Sequence, residues 1–193
     1  MRKLAIIATL IFGLILSMGF AQDNDFNIVL VPGLTTDAFY ITMNKGAQAA
    51  AEALGITVDF QGAEEFNPTL QVPVLDAVIA RRPDAILIAP TDKTQLIEPL
   101  RRAHEAGIPI VTVDTFIDDG SYQDGAGDGD FPFSYIASDN VAGGRIAGRA
   151  MCDALGGEGS AYVSNVNPGI STTDQREEGF KLELAETCPG VPG

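Results

Sequence analysis

The stretch "DAILIAPTDKTQLIEPLRRAHEAGIPIVTVD", residues 84–114, holds two apolar runs separated by a segment of helical period. The runs at 84–90 and 108–114 carry nearly unbroken Ile, Leu and Val between polar ends. Such strands are buried on both faces, as a parallel sheet requires. The segment between them predicts a helix over 94–106 that stops at Gly107, with Pro109 just beyond. Strand, helix and strand at this spacing make a βαβ unit with a right-handed crossover.

The same alternation extends outward. "NIVLV" at 27–31 and "ITVDF" at 56–60 read as further strands. Between them Phe39, Met43, Ala47, Ala50 and Leu54 recur at three- or four-residue intervals, which predicts a helix capped by Asp37 and ended by Gly55. Another helix is expected from Asn67-Pro68, with Leu70, Val74, Leu75, Val78 and Ile79 as its apolar positions and a bend at Pro73. The order βαβαβαβ predicts an α/β fold, a Rossmann-like parallel sheet with helices on both faces.

Residues 116–132, "FIDDGSYQDGAGDGDFP", break the rhythm and read as a surface loop. "FSYIAS" at 133–138 resumes a strand, followed by a helix over 140–155, a strand in "GSAYVSN" at 159–165 and a helix over 172–187. The chain then reaches "CPGVPG" where one more strand is expected. The division predicted is a first lobe over 22–136, then a hinge crossing and the incomplete start of a second α/β lobe over 137–193.

At the N-terminus, Arg2 and Lys3 precede an apolar run from Leu4 to Leu16, and small residues surround Ser17, Gly19 and Ala21. This is the pattern of a secretory signal peptide, residues 1–21, cleaved after Ala21. The run is shorter than the ~20 residues a spanning helix needs. A formal net charge of −14 excludes nucleic acid as a partner. Cys152 and Cys188 are the only cysteines, too few for a disulfide scaffold and without metal-type spacing. "DGAGDGD" at 124–130 lacks the third glycine of a nucleotide fingerprint and the terminal glutamate of a calcium loop. His104, the single histidine, is assigned a surface role, and no nucleophile elbow occurs. The sequence therefore predicts no cofactor, no metal and no enzymatic activity.

"DAFYITMNKGAQAAAEALG" (37–55), "PDAILIAPTD" (83–92), "EAGIPIVTVD" (105–114), "SYIASDNVAGGRIAGRAM" (134–151) and "STTDQREEGF" (171–180) occur in an order that resembles the ribose-binding group of bacterial periplasmic sugar-binding proteins. The resemblance covers residues 26–190. It implies two Rossmann-like lobes that close on a small sugar or polyol. It also implies a monomer in the periplasm that delivers its ligand to a membrane ABC permease complex. Two other classes share the fold. An effector domain of a lac repressor-type regulator is disfavoured by the signal segment, the acidic charge and the lack of a helix-turn-helix region. A small hydrolase or isomerase lacks a catalytic constellation, since fold alone does not fix function. A chemoreceptor-associated binding protein stays open.

Ligands of open parallel sheets sit beyond the carboxyl ends of the strands, where Asp114 lies, and a carboxylate there accepts sugar hydroxyls. The family often has arginine at the next position; here Thr115 stands there, a ligand-binding candidate by its place that lacks the charged fork and puts ribose itself in doubt. By resemblance Asp37, Phe39 and Tyr40 supply a hydrogen-bonding group and two aromatics to the sugar. Asp37 also reads as a helix cap. Phe39 falls on the apolar stripe, so Tyr40 is expected to be the exposed ring. Arg176 matches an arginine of the second lobe that contacts sugar, and its five donors suit several hydroxyls. Asp139 and Asn140 are expected to cap the following helix. Cys152 and Cys188 lie at opposite sides of one strand-helix unit. They either form a bridge, which export permits, or remain two thiols, and Cα atoms within ~7 Å decide between these.

Overall fold

The structure, a computed structural model, describes residues 26–118 and 130–191. The signal segment 1–21 and all of the acidic loop 124–130 except Asp130 lie outside these residues. The elements are β1 (Asn27–Val31), α1 (Ala38–Leu54), β2 (Thr57–Phe60), α2 (Pro68–Ala80), β3 (Ala85–Ile88), α3 (Ile97–Glu105), β4 (Ile110–Val113), β5 (Ser134–Ile136), α4 (Asn140–Leu155) and α5 (Ser171–Thr187). The five strands form one sheet in the order β2-β1-β3-β4-β5, with every neighbouring pair parallel. The α/β reading holds.

Alternation along the strands builds the core. Val29, Val31, Ile86, Ile88 and Ile110 point to one face, where they meet Leu75 and Val78 of α2 and Leu100 and Ala103 of α3. Local chemistry sets the helix ends. Asp37 caps α1 by accepting from the Phe39 amide, and Gly55 closes it at φ 66°. Asn67 caps α2 in the same way, ahead of Pro68. α3 begins at Ile97 rather than 94, because Asp92 Oδ1 accepts from the Thr94 and Gln95 amides and holds a separate turn there.

Two readings change and a third gains detail. On α1 Met43 and Ala47 are half-buried as expected, but the buried positions are Tyr40 and Ala51 whereas Phe39, Ala50 and Leu54 are exposed, so the apolar stripe shifts by one residue at its ends. An alanine-rich helix gives the stripe too little contrast to fix its register from sequence. Residues 159–165 alternate in exposure as a strand would, with Tyr162 at 87%, yet they are not a strand. Among the described residues no neighbouring strand pairs with them, and a strand needs a partner for its backbone groups. His104 does lie at the surface, but it has partners: its Nε2 is 2.9 Å from Asp130 Oδ1 and its ring stacks on Phe131.

α4 and α5 pack on each other at close range. A Cβ at Gly144 would run into the Arg176 carbonyl, and one at Gly179 into the Val141 carbonyl. Their far ends are joined by Cys152 and Cys188, whose Cα atoms stand 6.0 Å apart in a disulfide. A small separate core of Phe180, Leu184, Cys188 and Val191 forms around it.

Candidate functional site

Asp114 ends β4 in the left-handed region at φ 63°, an uncommon conformation for a residue with a side chain. Two bonds from the neighbouring strand hold it there. Its amide donates to the Ile136 carbonyl at 2.9 Å, and its own carbonyl accepts from the Tyr135 hydroxyl at 2.9 Å. The turn lifts the carboxylate out of the sheet, and Oδ2 accepts from the Tyr40 hydroxyl at 2.8 Å. Burial raises the Asp114 carboxyl above the usual aspartate range, against the opposing pull of the Tyr40 hydrogen bond and the Arg176 charge. Burial, with the facing Asp114 charge, also raises the Tyr40 phenol, so it acts as a neutral donor.

The carboxylate opens into a cleft of about 370 Å³. The segments after β1 and β4 contribute Asp37, Phe39, Tyr40 and Asp114, and α5 contributes Thr172, Thr173 and Arg176 from the other side. Sequence positions 37 to 176 thus converge because the β1–α1 turn and the end of β4 share one sheet edge, which α5 faces. A larger hollow of about 460 Å³ runs along α4, but its Arg145 and Arg149 pair with Glu183 and it gathers none of the candidates.

The aromatic pair is the reverse of the expectation. Tyr40 is 4% exposed with its hydroxyl committed to Asp114, while Phe39 is 53% exposed and meets Tyr40 edge-on at 5.2 Å. Phe39 therefore presents the open ring. Thr115 is buried, donates to the Pro90 carbonyl at 2.7 Å and does not line the cleft. Asp37 both caps α1 and lines the cleft. Arg176 donates through Nε to Asn140 Oδ1 at 2.9 Å, and Asp139 caps α4 at the Ala142 amide.

Thr172, Thr173, Phe66 and Gln71 are among the residues that the sequence reading did not assign to the site. Phe66 lines the cleft from the turn before α2, packed so closely over Gly33 that a Cβ there would strike its ring. Only its place before the Asn67 cap could have marked it. Gln71, wholly buried, donates to the Pro32 and Ala89 carbonyls and accepts from the Thr91 amide and hydroxyl. It ties together the loops that leave β1 and β3 under the cleft. Among the described residues no cluster of His, Cys, Asp and Glu is arranged to hold a metal ion.

A model of the periplasmic binding protein domain matches residues 28–192. The ribose import binding protein RbsB of Bacillus subtilis is 30% identical over 160 residues, covering 82% of this chain and 48% of that protein. RbsB of Escherichia coli is 29% identical over 188 residues, 96% of this chain and 58% of its own. An ABC transporter solute-binding protein from Agrobacterium vitis, solved bound with α-D-tagatopyranose, is 68% identical with a TM-score of 0.82, over 86% of this chain and 56% of that one. A solute-binding protein from Actinobacillus succinogenes with bound D-allose is 27% identical with a TM-score of 0.74, over 87% and 57%. The chain spans about half the length of these relatives. The domain match covers nearly all of the described residues; this chain belongs to the periplasmic binding protein family.

Proposed function

We propose that the full-length protein captures a neutral monosaccharide or polyol between two lobes and hands it, chemically unchanged, to a membrane ABC importer. The observation that carries the reading is one cleft that combines an acceptor, Asp114, an open ring, Phe39, and a guanidinium, Arg176. A sugar offers hydroxyl donors to the first, an apolar C–H face to the second and hydroxyl acceptors to the third.

The relative solved with α-D-tagatopyranose makes a ketohexose in its pyranose form the first ligand to test. Residues 1–21 act as the cleaved export signal in this reading, and the protein works in the periplasm as a monomer. Lobe one spans 22–136 and the hinge crossing and start of the second lobe 137–193. Thermal shift of the full-length protein against tagatose, other hexoses, pentoses and polyols is expected to single out one ligand class, because binding to the folded state raises the melting temperature. Calorimetry should then give one site per chain. Recovery of a chemically altered sugar, or no response to any member of the panel, would refute the reading.

A further inference from the structure

Arg176 is the one cleft group contributed by α5 that carries a charge, and it stands on a long, flexible side chain. Such a chain loses rotamer freedom when it grips a ligand, unless the protein has already fixed it. Three features fix it here. The Gly144 contact seats α4 directly against the Arg176 carbonyl, which sets the backbone. Asn140, 3% exposed, accepts from Arg176 Nε at 2.9 Å, which sets the guanidinium plane. Asn140 Nδ2 in turn donates to the Ser138 carbonyl at 3.1 Å.

The last bond decides what Asn140 is for. An amide has one accepting and one donating end, and the Ser138 carbonyl accepts only from the nitrogen. Its oxygen must therefore face Arg176, and a flipped amide would set nitrogen against guanidinium and oxygen against carbonyl. By taking Nε, Asn140 leaves the four terminal N–H donors of Arg176 to the cleft. The Asp139 side chain already supplies the α4 cap, so Asn140 is not needed there.

We propose that Asn140 is a positioning residue that orients Arg176 for the ligand and ties it to the Ser138 segment where the chain crosses between lobes; this rests on the sugar-binding reading above. Asn140→Leu keeps the volume and removes the acceptor. In the full-length protein it is expected to weaken sugar binding by about tenfold, as loss of a hydrogen bond to a charged group does. In an Arg176→Ala background the same change is expected to cost almost nothing further. A residue that merely supports the fold would give equal losses in both backgrounds, and that additive result would overturn the proposal.

A second readout needs no sugar. The Arg176 Nε–H, followed by NMR of ¹⁵N-labelled protein, is expected to be protected from exchange in the wild type and unprotected in Asn140→Leu. Asn140→Asp, which keeps an accepting oxygen, should restore that protection. An unprotected Nε–H in the wild type would overturn the positioning role even if sugar binds. A protected Nε–H with no sugar bound by the wild type would instead overturn the sugar reading, leaving the Asn140–Arg176 bond standing.

Discussion

Replacing Tyr40 by Phe removes a single oxygen from the cleft, and its cost follows from where that oxygen sits. The hydroxyl donates to Asp114 Oδ2 at 2.8 Å from a ring that is 4% exposed. A hydrogen bond to a charged group contributes about 1.5–3 kcal/mol. In the unliganded cleft, water takes the place of the hydroxyl on Asp114, so the free protein should lose less than about 1 kcal/mol of stability. In the closed, sugar-filled cleft, the Phe ring leaves Oδ2 without a donor, and the loss falls on the complex. Affinity should therefore drop by about 1.5 kcal/mol, roughly tenfold, at the low end of the range. Calorimetry of the full-length variant with the ligand found by thermal shift measures it directly. The loss should shrink in an Asp114→Asn background, where there is no charge to support. Unchanged affinity in Tyr40→Phe, or the same loss with and without the Asp114 charge, would refute the view that Tyr40 acts through Asp114.

Burial raises the Asp114 carboxyl in the folded chain, so its protonated form favours folding below the unfolded value and that contribution is lost as pH rises through the raised value. Sugar hydroxyls need the carboxylate, so affinity should fall on acidification at a higher pH than an ordinary aspartate would give; calorimetry across a pH series tests this, and Asp114→Asn should flatten the profile. Opening the Cys152–Cys188 bridge, which spans a sequence separation of 36, should cost roughly 3–4 kcal/mol, read as a lower melting temperature on reduction or in the double serine variant. Mass spectrometry of non-reduced, alkylated protein from cells should find no alkylated thiol. Gln71→Leu leaves the Thr91 amide and two carbonyls buried without their partner and should destabilise the protein by about 3 kcal/mol, measured by denaturant unfolding.

The strands and helices of residues 27–113 were legible because each rests on local signals. Ile86 and Ile88 in an apolar run, Asp37 and Asn67 as caps and Gly55 and Gly107 as stops act within a few residues of themselves. Asp114 was legible as a cleft-lining candidate for a related reason: a carboxylate at the end of a buried strand has no packing role. Residues 159–165 show the limit of local reading. Their alternation is genuine, but a strand is a property of two segments, and its partner is not among the described residues. Phe39 and Tyr40 show a different limit. Adjacent aromatics on a helix rich in alanine give the same periodicity in either register, and the deciding contact, the Tyr40 hydroxyl on Asp114, spans 74 residues of sequence.

Two buried polar residues, one missed and the other read only as a helix cap, share one physical trait. Gln71 and Asn140 are buried amides whose partners are mostly backbone carbonyls or a single distant side chain. Nothing in the local sequence distinguishes such an amide from a solvent-facing one, because the backbone groups it satisfies exist at every position. Their burial is nevertheless costly unless every donor and acceptor is matched, which makes each a constraint on geometry rather than a source of net stability. Gln71 fixes the loops beneath the cleft, and Asn140 fixes the cation at its wall. The groups proposed to touch a sugar are thus readable from their own chemistry, whereas the groups proposed to aim them are readable only from the fold. A change of ligand preference within this cleft should accordingly be sought in Phe39, Asp37 and Arg176, with Gln71 and Asn140 left intact to keep those side chains in register.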